Sequence, residues 1–147
     1  MPYVDSQLLL SDAQAVTTDA ASTNVIDLSQ SRNIGAGEPM AVVVTVDVAA
    51  DHTTGDEAYA VEVQVDDDSA FGSSTMITSY TIPNTTVKGD VHVIPIPITA
   101  SNADNRYLRV NYNTGGTSPS ITVTAFLTAL SAAPQKYVPY ADGLTIS

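Results

Sequence analysis

The sequence predicts an all-β domain, an antiparallel sandwich or barrel, and two observations carry that prediction. Apolar and polar residues alternate with a period of two in several segments, which is typical of strands with one buried face. Turn-forming segments rich in Gly, Asn and Asp separate these strands, and no 3.6-residue apolar stripe is long enough for a sizeable helix. The spacing of the turns predicts about eight short strands.

The strongest alternation lies at 40–49, MAVVVTVDVA. Its even positions from 42 to 48 are valines, and the opposite face, which we expect to be wet, carries Val43, Thr45 and Asp47. Segment 59–66, YAVEVQVD, alternates in the same way. Further strands are expected at 24–28, 75–82, 91–98, 106–112 and 120–130.

The strand at 91–98, VHVIPIPI, contains two prolines two positions apart, Pro95 and Pro97. Their missing N–H groups face the same side, so a central strand would lose two ladder bonds there. This strand is therefore expected at a sheet edge, with the prolines facing away from its partner.

The chain has 147 residues, the size of one domain. We expect an extended N-terminal arm at 1–23, a β domain at 24–131 and a C-terminal tail at 132–147. The tail, AAPQKYVPYADGLTIS, is too apolar for a free segment, so we expect it to pack on its own or a neighbouring subunit. Its interface candidates are Tyr137, Tyr140, Leu144 and Ile146.

Charge and composition exclude several classes of function. Sixteen acids against five bases give a net charge of −11, which opposes binding to nucleic acid and to anionic membranes. There is no cysteine, hence no disulfide, and no apolar run approaches the roughly 20 residues of a membrane span. No basic segment precedes the short leucine run at 8–10, so we expect no signal peptide and no Sec-type export.

Two acidic segments are weak candidates for a metal site. Asp66 and Asp68 belong to a run of three aspartates at a strand end, and Asp51 and Asp56 lie in a loop. Calcium requires several convergent oxygen ligands, whereas consecutive strand residues point in alternating directions. Capping of the turns by these aspartates is the favoured interpretation, and we expect no metal and no cofactor.

The sequence does not predict an enzyme. It contains no nucleophile elbow, no H-E-x-x-H motif and no phosphate-binding loop. Asp47 and Glu62 lie on strands and would suit a glycosidase only if they faced each other across a cleft. Solvated positions are the favoured interpretation for both.

The cationic segment RYLRVNY is a more specific signal of function than the acidic segments, because bases are rare in this chain. Arg106 and Arg109 are two of only five bases, and with Tyr107 and Tyr112 they form a polar and aromatic patch of the kind enriched at interfaces. Pairing of the arginines with the chain's own acids is the alternative, and we favour it slightly.

Taken in order, several segments resemble a known family. They are SDAQAVTTDAASTNVIDL, GAGEP, VQVDDDSAF, VIPIPI, RYLRVNY and YADGLTIS. Together they resemble the jelly-roll capsid decoration, or cement, proteins of short-tailed bacteriophages, typified by a Bordetella podophage. The resemblance covers nearly the whole chain.

The resemblance implies a jelly roll that forms a homotrimer on the exterior of the virion capsid after synthesis in the host cytoplasm. Its expected partner is the major capsid protein, whose subunits it would clamp together. The family has no catalytic residues and no cofactor. The alternative is a carbohydrate-binding jelly-roll module or a tail-fibre-associated binding domain, with Tyr59, Tyr107 and Tyr112 as sugar platforms.

Overall fold

The computed structural model describes residues 8–28, 39–97 and 106–130, and these residues form nine strands. Within these ranges no helix is long and apolar enough to cross a membrane. The strands are β1 (Leu9–Val16), β2 (Ala20–Ala21), β3 (Ile26–Asp27), β4 (Met40–Val48), β5 (Ala58–Asp66), β6 (Thr75–Ile82), β7 (Val91–Pro95), β8 (Tyr107–Gly115) and β9 (Ile121–Ala129).

The strands form two antiparallel sheets. The first sheet has the order β1-β9-β4-β7, and the second has the order β2-β8-β5-β6, with β3 also paired to β8. The chain crosses between the sheets at most connections, and only β5 and β6 are consecutive strands that pair directly. This is the double Greek-key arrangement of a jelly roll, so the predicted fold class is confirmed.

The core lies between the two sheets. Alternate side chains of β4 and β9 point inward from the first sheet, and alternate side chains of β5 and β8 meet them from the second. Each fully buried aliphatic side chain contributes about 1.5–3 kcal/mol. The central residues are Val42, Val44, Val46, Val61, Val63, Leu108, Val110, Ile121 and Val123.

The prediction that residues 1–23 form an arm outside the sandwich is wrong for the described residues, 8–23. Residues 9–16 form β1, which pairs with β9, and Ala20–Ala21 form β2 on the other sheet. Two register shifts interrupt β1, and Ala13 within it has a positive φ of 47°. These irregularities place Leu10 and Ser11 in the interior next to each other, so the strand has no period of two.

β2 and β3 act as one interrupted strand beside β8, and Ser22 fills part of the gap. Its backbone N–H donates to Val110 O at 2.7 Å, and its hydroxyl oxygen accepts the N–H of Val110 at 3.2 Å. The same hydroxyl donates to Asn24 O at 2.9 Å. A side chain thus takes the place of a backbone carbonyl in the ladder.

β7 lies at an edge of the first sheet, as the prolines predict. Ile96 donates its backbone N–H to Met40 O at 2.9 Å, so even-numbered residues turn their backbone groups toward β4. Pro95, in register with Ala41, turns its nitrogen toward the open side, where no N–H is needed.

The outward face of the first sheet carries an apolar row, one residue from each strand: Leu9, Phe126, Val43 and Val93, which are in register across the sheet. Val43 is 0% exposed and Phe126 4% exposed. We call these four residues the outer apolar row. The expectation of a wet face is therefore wrong at Val43, because a period of two fixes which side chains share a face and not what covers that face.

Candidate interaction surface

The outward face of the second sheet holds Tyr107 and Arg109 of the predicted cationic patch, whereas the expectation that Tyr112 belongs to this patch is wrong, because Tyr112 points into the core. Tyr107 and Arg109 alternate with the buried Leu108 and Val110 of β8, so both point away from the core. We use the name arginine cluster for Arg106, Tyr107, Arg109 and the two side chains that support Arg109, namely Gln64 and Phe71.

Arg106 is paired with an acid of its own chain, as the alternative interpretation predicts. Its Nε lies 3.1 Å from Asp27 Oδ1 and its Nη2 3.3 Å from Asp27 Oδ2, and the guanidinium also lies 5.0 Å from the centre of the Tyr107 ring. The hydrogen bond to Asp27 raises the pKa of Arg106. Both side chains are more than 40% exposed, so water and salt screen the pair.

Arg109 has neutral partners instead. Its Nε donates to Gln64 Oε1 at 2.9 Å, and its guanidinium carbon lies 4.3 Å above the Phe71 ring. Neither partner neutralises the charge, so the planar guanidinium is held in place while retaining its capacity to bind a carboxylate. Phe71, in the β5–β6 loop, has a φ of 55°, which turns its ring under Arg109.

The acids at the end of β5, Asp66 and Asp68, cap the loop that follows the strand. Asp66 is buried, and its two oxygens accept the backbone N–H groups of Asp68 at 3.1 Å and Ser73 at 2.9 Å. Burial by itself raises the pKa of Asp66, but the hydrogen bonds from Ser73 and Asp68 outweigh it and lower the pKa. Asp68 in turn accepts the N–H of Ala70 at 3.0 Å.

The loop at 51–57 is capped in the same way. Asp51 accepts the N–H of Thr53 at 3.0 Å, and Asp56 accepts the N–H and the hydroxyl of Thr117, both at 3.0 Å. These bonds from threonine lower the pKa of each aspartate. The buried Glu57 closes the turn by accepting from Thr54 and from the N–H of Gly55.

The four weak metal candidates are therefore committed to turn capping, the interpretation favoured from the sequence. Asp51, Asp56, Asp66 and Asp68 each accept backbone N–H groups. Across the described ranges no three acids or histidines are arranged to hold a metal ion. Asp47 and Glu62 lie on the outward faces of opposite sheets, so they do not face each other across a cleft.

Two of the three tyrosines expected as sugar platforms are core residues. Tyr59 is 2% exposed, and its hydroxyl lies 2.7 Å from Asp51 O and accepts the N–H of Ser120 at 2.9 Å. Tyr112 is 3% exposed and its hydroxyl lies 2.7 Å from Ser11 Oγ, which joins the two sheets. Burial raises the pKa of Tyr112 to about 12. Neither ring is accessible to a sugar.

A polar cleft that the sequence does not reveal lies where the edge strands β6 and β7 meet. Tyr80 OH lies 2.9 Å from His92 Nδ1, and Thr86 Oγ1 lies 3.0 Å from His92 Nε2. Thr86 donates its hydroxyl hydrogen to Asp90 Oδ2 at 2.9 Å, so Thr86 Oγ1 is left to accept from His92 Nε2. The hydrogen bond between Tyr80 and His92 thus joins the edge strands of the two sheets.

The remaining interface candidates, Tyr137, Tyr140, Leu144 and Ile146, lie outside the described residues, as does the whole predicted tail at 132–147. The structure thus brings together Arg106, Tyr107 and Arg109. Sequence reasoning missed Gln64 and Phe71, because a cross-strand neighbour and a loop residue 45 and 38 positions away are adjacent only in the folded chain.

Fold and surface together define a jelly-roll protein whose loop acids Asp51, Asp56, Asp66 and Asp68 cap its turns and whose most organised outward group is the arginine cluster. The model of the Bbp16 family matches residues 10–127, which is most of the sandwich. The chain therefore belongs to the Bbp16 family, whose name points to a protein of a Bordetella bacteriophage. No curated protein matches the chain.

Proposed function

We propose that the chain is a structural, non-enzymatic protein of the phage virion that decorates the outer surface of the icosahedral capsid and cements neighbouring major capsid subunits. Membership of the Bbp16 family carries this proposal, together with the ordered resemblance of the chain to capsid decoration proteins. A jelly roll whose acids stabilise its own loops suits a protein that binds through a surface.

The edges of both sheets support this role. A protein that covers a lattice is concentrated there, and unprotected strand edges would pair between copies. β7 presents Pro95, β1 is interrupted by two register shifts, and β2 and β3 have two residues each. β6 carries an extra residue opposite Val63 and Gln64 of β5. Each edge is thereby made unsuitable for regular extension.

The arginine cluster is our choice for the capsid contact. The chain carries a net charge of −11, so a cation held outward by neutral groups is selective for an acidic side chain of a partner. The Phe71 ring and the Gln64 amide fix the guanidinium plane, which lowers the entropy lost when a carboxylate binds. In this proposal Arg109 contacts a carboxylate on the major capsid protein.

A trimer is the assembly that we propose. A trimer presents three copies of the same contact to the repeating capsid surface, so binding by the whole trimer is tighter than binding by one subunit. Light scattering on the purified protein tests this directly, and a monomeric mass at working concentration would overturn the trimer.

Sedimentation with capsid shells that lack the protein tests decoration. We expect the wild-type chain to pellet with the shells and Arg109→Ala to weaken binding by about tenfold, the loss of one charged hydrogen bond. Lys88→Ala is the matched control, because it removes the same charge from the exposed loop before β7. Wild-type protein that stays in the supernatant would overturn the proposed function, whereas tight binding by Arg109→Ala would overturn only the contact residue.

A further inference from the structure

The centre of the outer apolar row, Val43 and Phe126, is buried although it points away from the other sheet. Val43 and its neighbour Ala41 are both 0% exposed in a single copy of the chain. Their neighbours on this face are the side chains of the same sheet, and they include the short Thr45 and Thr128 and the ring of Pro95. Side chains that stand beside Ala41 do not reach over it. The cover must therefore come from another layer.

We propose that the C-terminal segment, residues 131–147, of the same chain packs across the outer apolar row as a third layer. The row then works as an intramolecular docking surface that fastens the C-terminus to the first sheet. Burial within one copy is the reason for choosing the same chain over a neighbouring subunit.

The place where residues 131–147 leave β9 is compatible with packing across the outer apolar row. β9 ends at Ala129, and Leu130 donates its N–H to Pro39 O at 2.7 Å, which holds the chain at the end of β4. Phe126 lies four residues back along β9, roughly 13 Å away at the rise of a strand. The segment could extend to roughly 55 Å, so it can turn back and cross all four strands.

The chemistry of the segment fits as well. Its apolar side chains recur along a stretch with only two charges, Lys136 and Asp142. Pro134 and Pro139 disfavour helix, so an extended segment can lie flat on the sheet. The outward face of the second sheet would bury unsatisfied amides and acids under such a segment, because Glu62, Gln64, Asn111 and Asn113 point from it. The apolar residues of the segment are Tyr137, Val138, Tyr140, Leu144 and Ile146.

Disulfide trapping tests the position, because the native chain has no cysteine. Val93→Cys, at the half-buried end of the row on the edge strand β7, is combined in turn with Tyr137→Cys, Tyr140→Cys and Leu144→Cys. Asn111→Cys, on the outward face of the second sheet, is the matched control with the same three partners. Peptide mass spectrometry under non-reducing conditions identifies the bonds.

We expect an intrachain disulfide to Val93→Cys in at least one pair and none to Asn111→Cys. Equal trapping by both positions, bonds only between copies, or no bond to Val93→Cys would each overturn the proposal.

Thiol reactivity gives an independent measurement. The Val93→Cys thiol should react at least about tenfold faster with a soluble thiol reagent when residues 131–147 are removed. Removal of residues 1–7 should leave the rate unchanged. Faster reaction only after removal of residues 1–7 would assign the cover to those residues and overturn the proposal. If the shortened chain does not fold, the disulfide trapping on the full chain decides whether residues 131–147 cover the row.

Discussion

The two outward faces of this jelly roll are built from strands of the same alternating pattern, yet they differ in kind. On the first sheet, Val43 and Phe126 are withdrawn from solvent. On the second sheet, the corresponding positions carry amides, acids and the arginine cluster, and they are half-exposed. The first face is buried and therefore adds to the stability of the fold, whereas the second stays in contact with water and is the face to which we assign the proposed capsid contact.

The division has a physical basis. An apolar face contributes only when something removes it from water, so its energy depends on a cover. A polar face can remain in water at no cost and becomes valuable when a partner supplies the missing charge. Substitutions on the two faces should therefore affect different measurements, unfolding for the first and binding for the second.

The largest difference is expected from a charge placed on each face. Val43→Asp buries an unpaired carboxylate and should lower the free energy of unfolding by about 4 kcal/mol, whereas Asn111→Asp on the second sheet should change it by less than about 1 kcal/mol. Urea unfolding followed by circular dichroism measures both. Equal effects would mean that the two faces are equally wet.

Removal of an aromatic ring from each face is the next comparison. Phe126→Ala deletes a ring that is 4% exposed and should cost about 3 kcal/mol, because a cavity remains. Tyr107→Ala removes a half-buried ring beside Arg106 and should cost about 1 kcal/mol. A smaller loss for Phe126→Ala than for Tyr107→Ala would reverse our assignment of the faces.

A third prediction concerns the inner side of β8, opposite the arginine cluster. Burial raises the pKa of Tyr112 to about 12, while an unfolded tyrosine ionises near pH 10. The folded chain thus holds more protons than the unfolded chain between these values, and stability falls as the pH rises from about 10 to about 12, by about 2.5 kcal/mol in total.

Tyr112→Phe should remove that part of the alkaline loss. Urea midpoints of wild type and variant, measured at a series of pH values above 9, give the difference. Parallel curves would show that ionisation of Tyr112 is not coupled to unfolding.

The smallest effect is expected for Arg106→Gln. Its pair with Asp27 is exposed, so we expect a minor fall in the urea midpoint at low salt that disappears at high salt. A large loss that persists in high salt would show that this face, too, contributes to the stability of the fold.

Much of the fold can be predicted from the sequence. A valine occupies every second position of β4 from Val42 to Val48 and of β5 from Val61 to Val65, and Pro95 predicts the edge position of β7. β1 could not be predicted, because Ala13 and two register shifts break its alternation and Ser11 is a polar residue in the interior. Its hydroxyl is satisfied by Gln14 and Tyr112, and the second partner is 101 positions away.

The candidate surface is predictable only in part. The pairing of two bases and a tyrosine in RYLRVNY points to Arg106, Tyr107 and Arg109. Whether an arginine is neutralised depends on its partners in the folded chain, and Asp27 and Gln64 cannot be distinguished as partners from local sequence. Tyr59 and Tyr112 show the same limit, since tyrosines on alternating strands can face either the core or the solvent.

Ser22 has a consequence for how the second sheet opens. Because the Ser22 hydroxyl replaces a backbone carbonyl as the acceptor of the Val110 N–H, the edge beside β8 is made of two short strands rather than one continuous strand. Each piece can detach separately, so this edge can fray in steps. We therefore expect the amide of Val110, whose side chain is buried in the core, to exchange its hydrogen faster than the backbone-bonded amides of β8 that face β5.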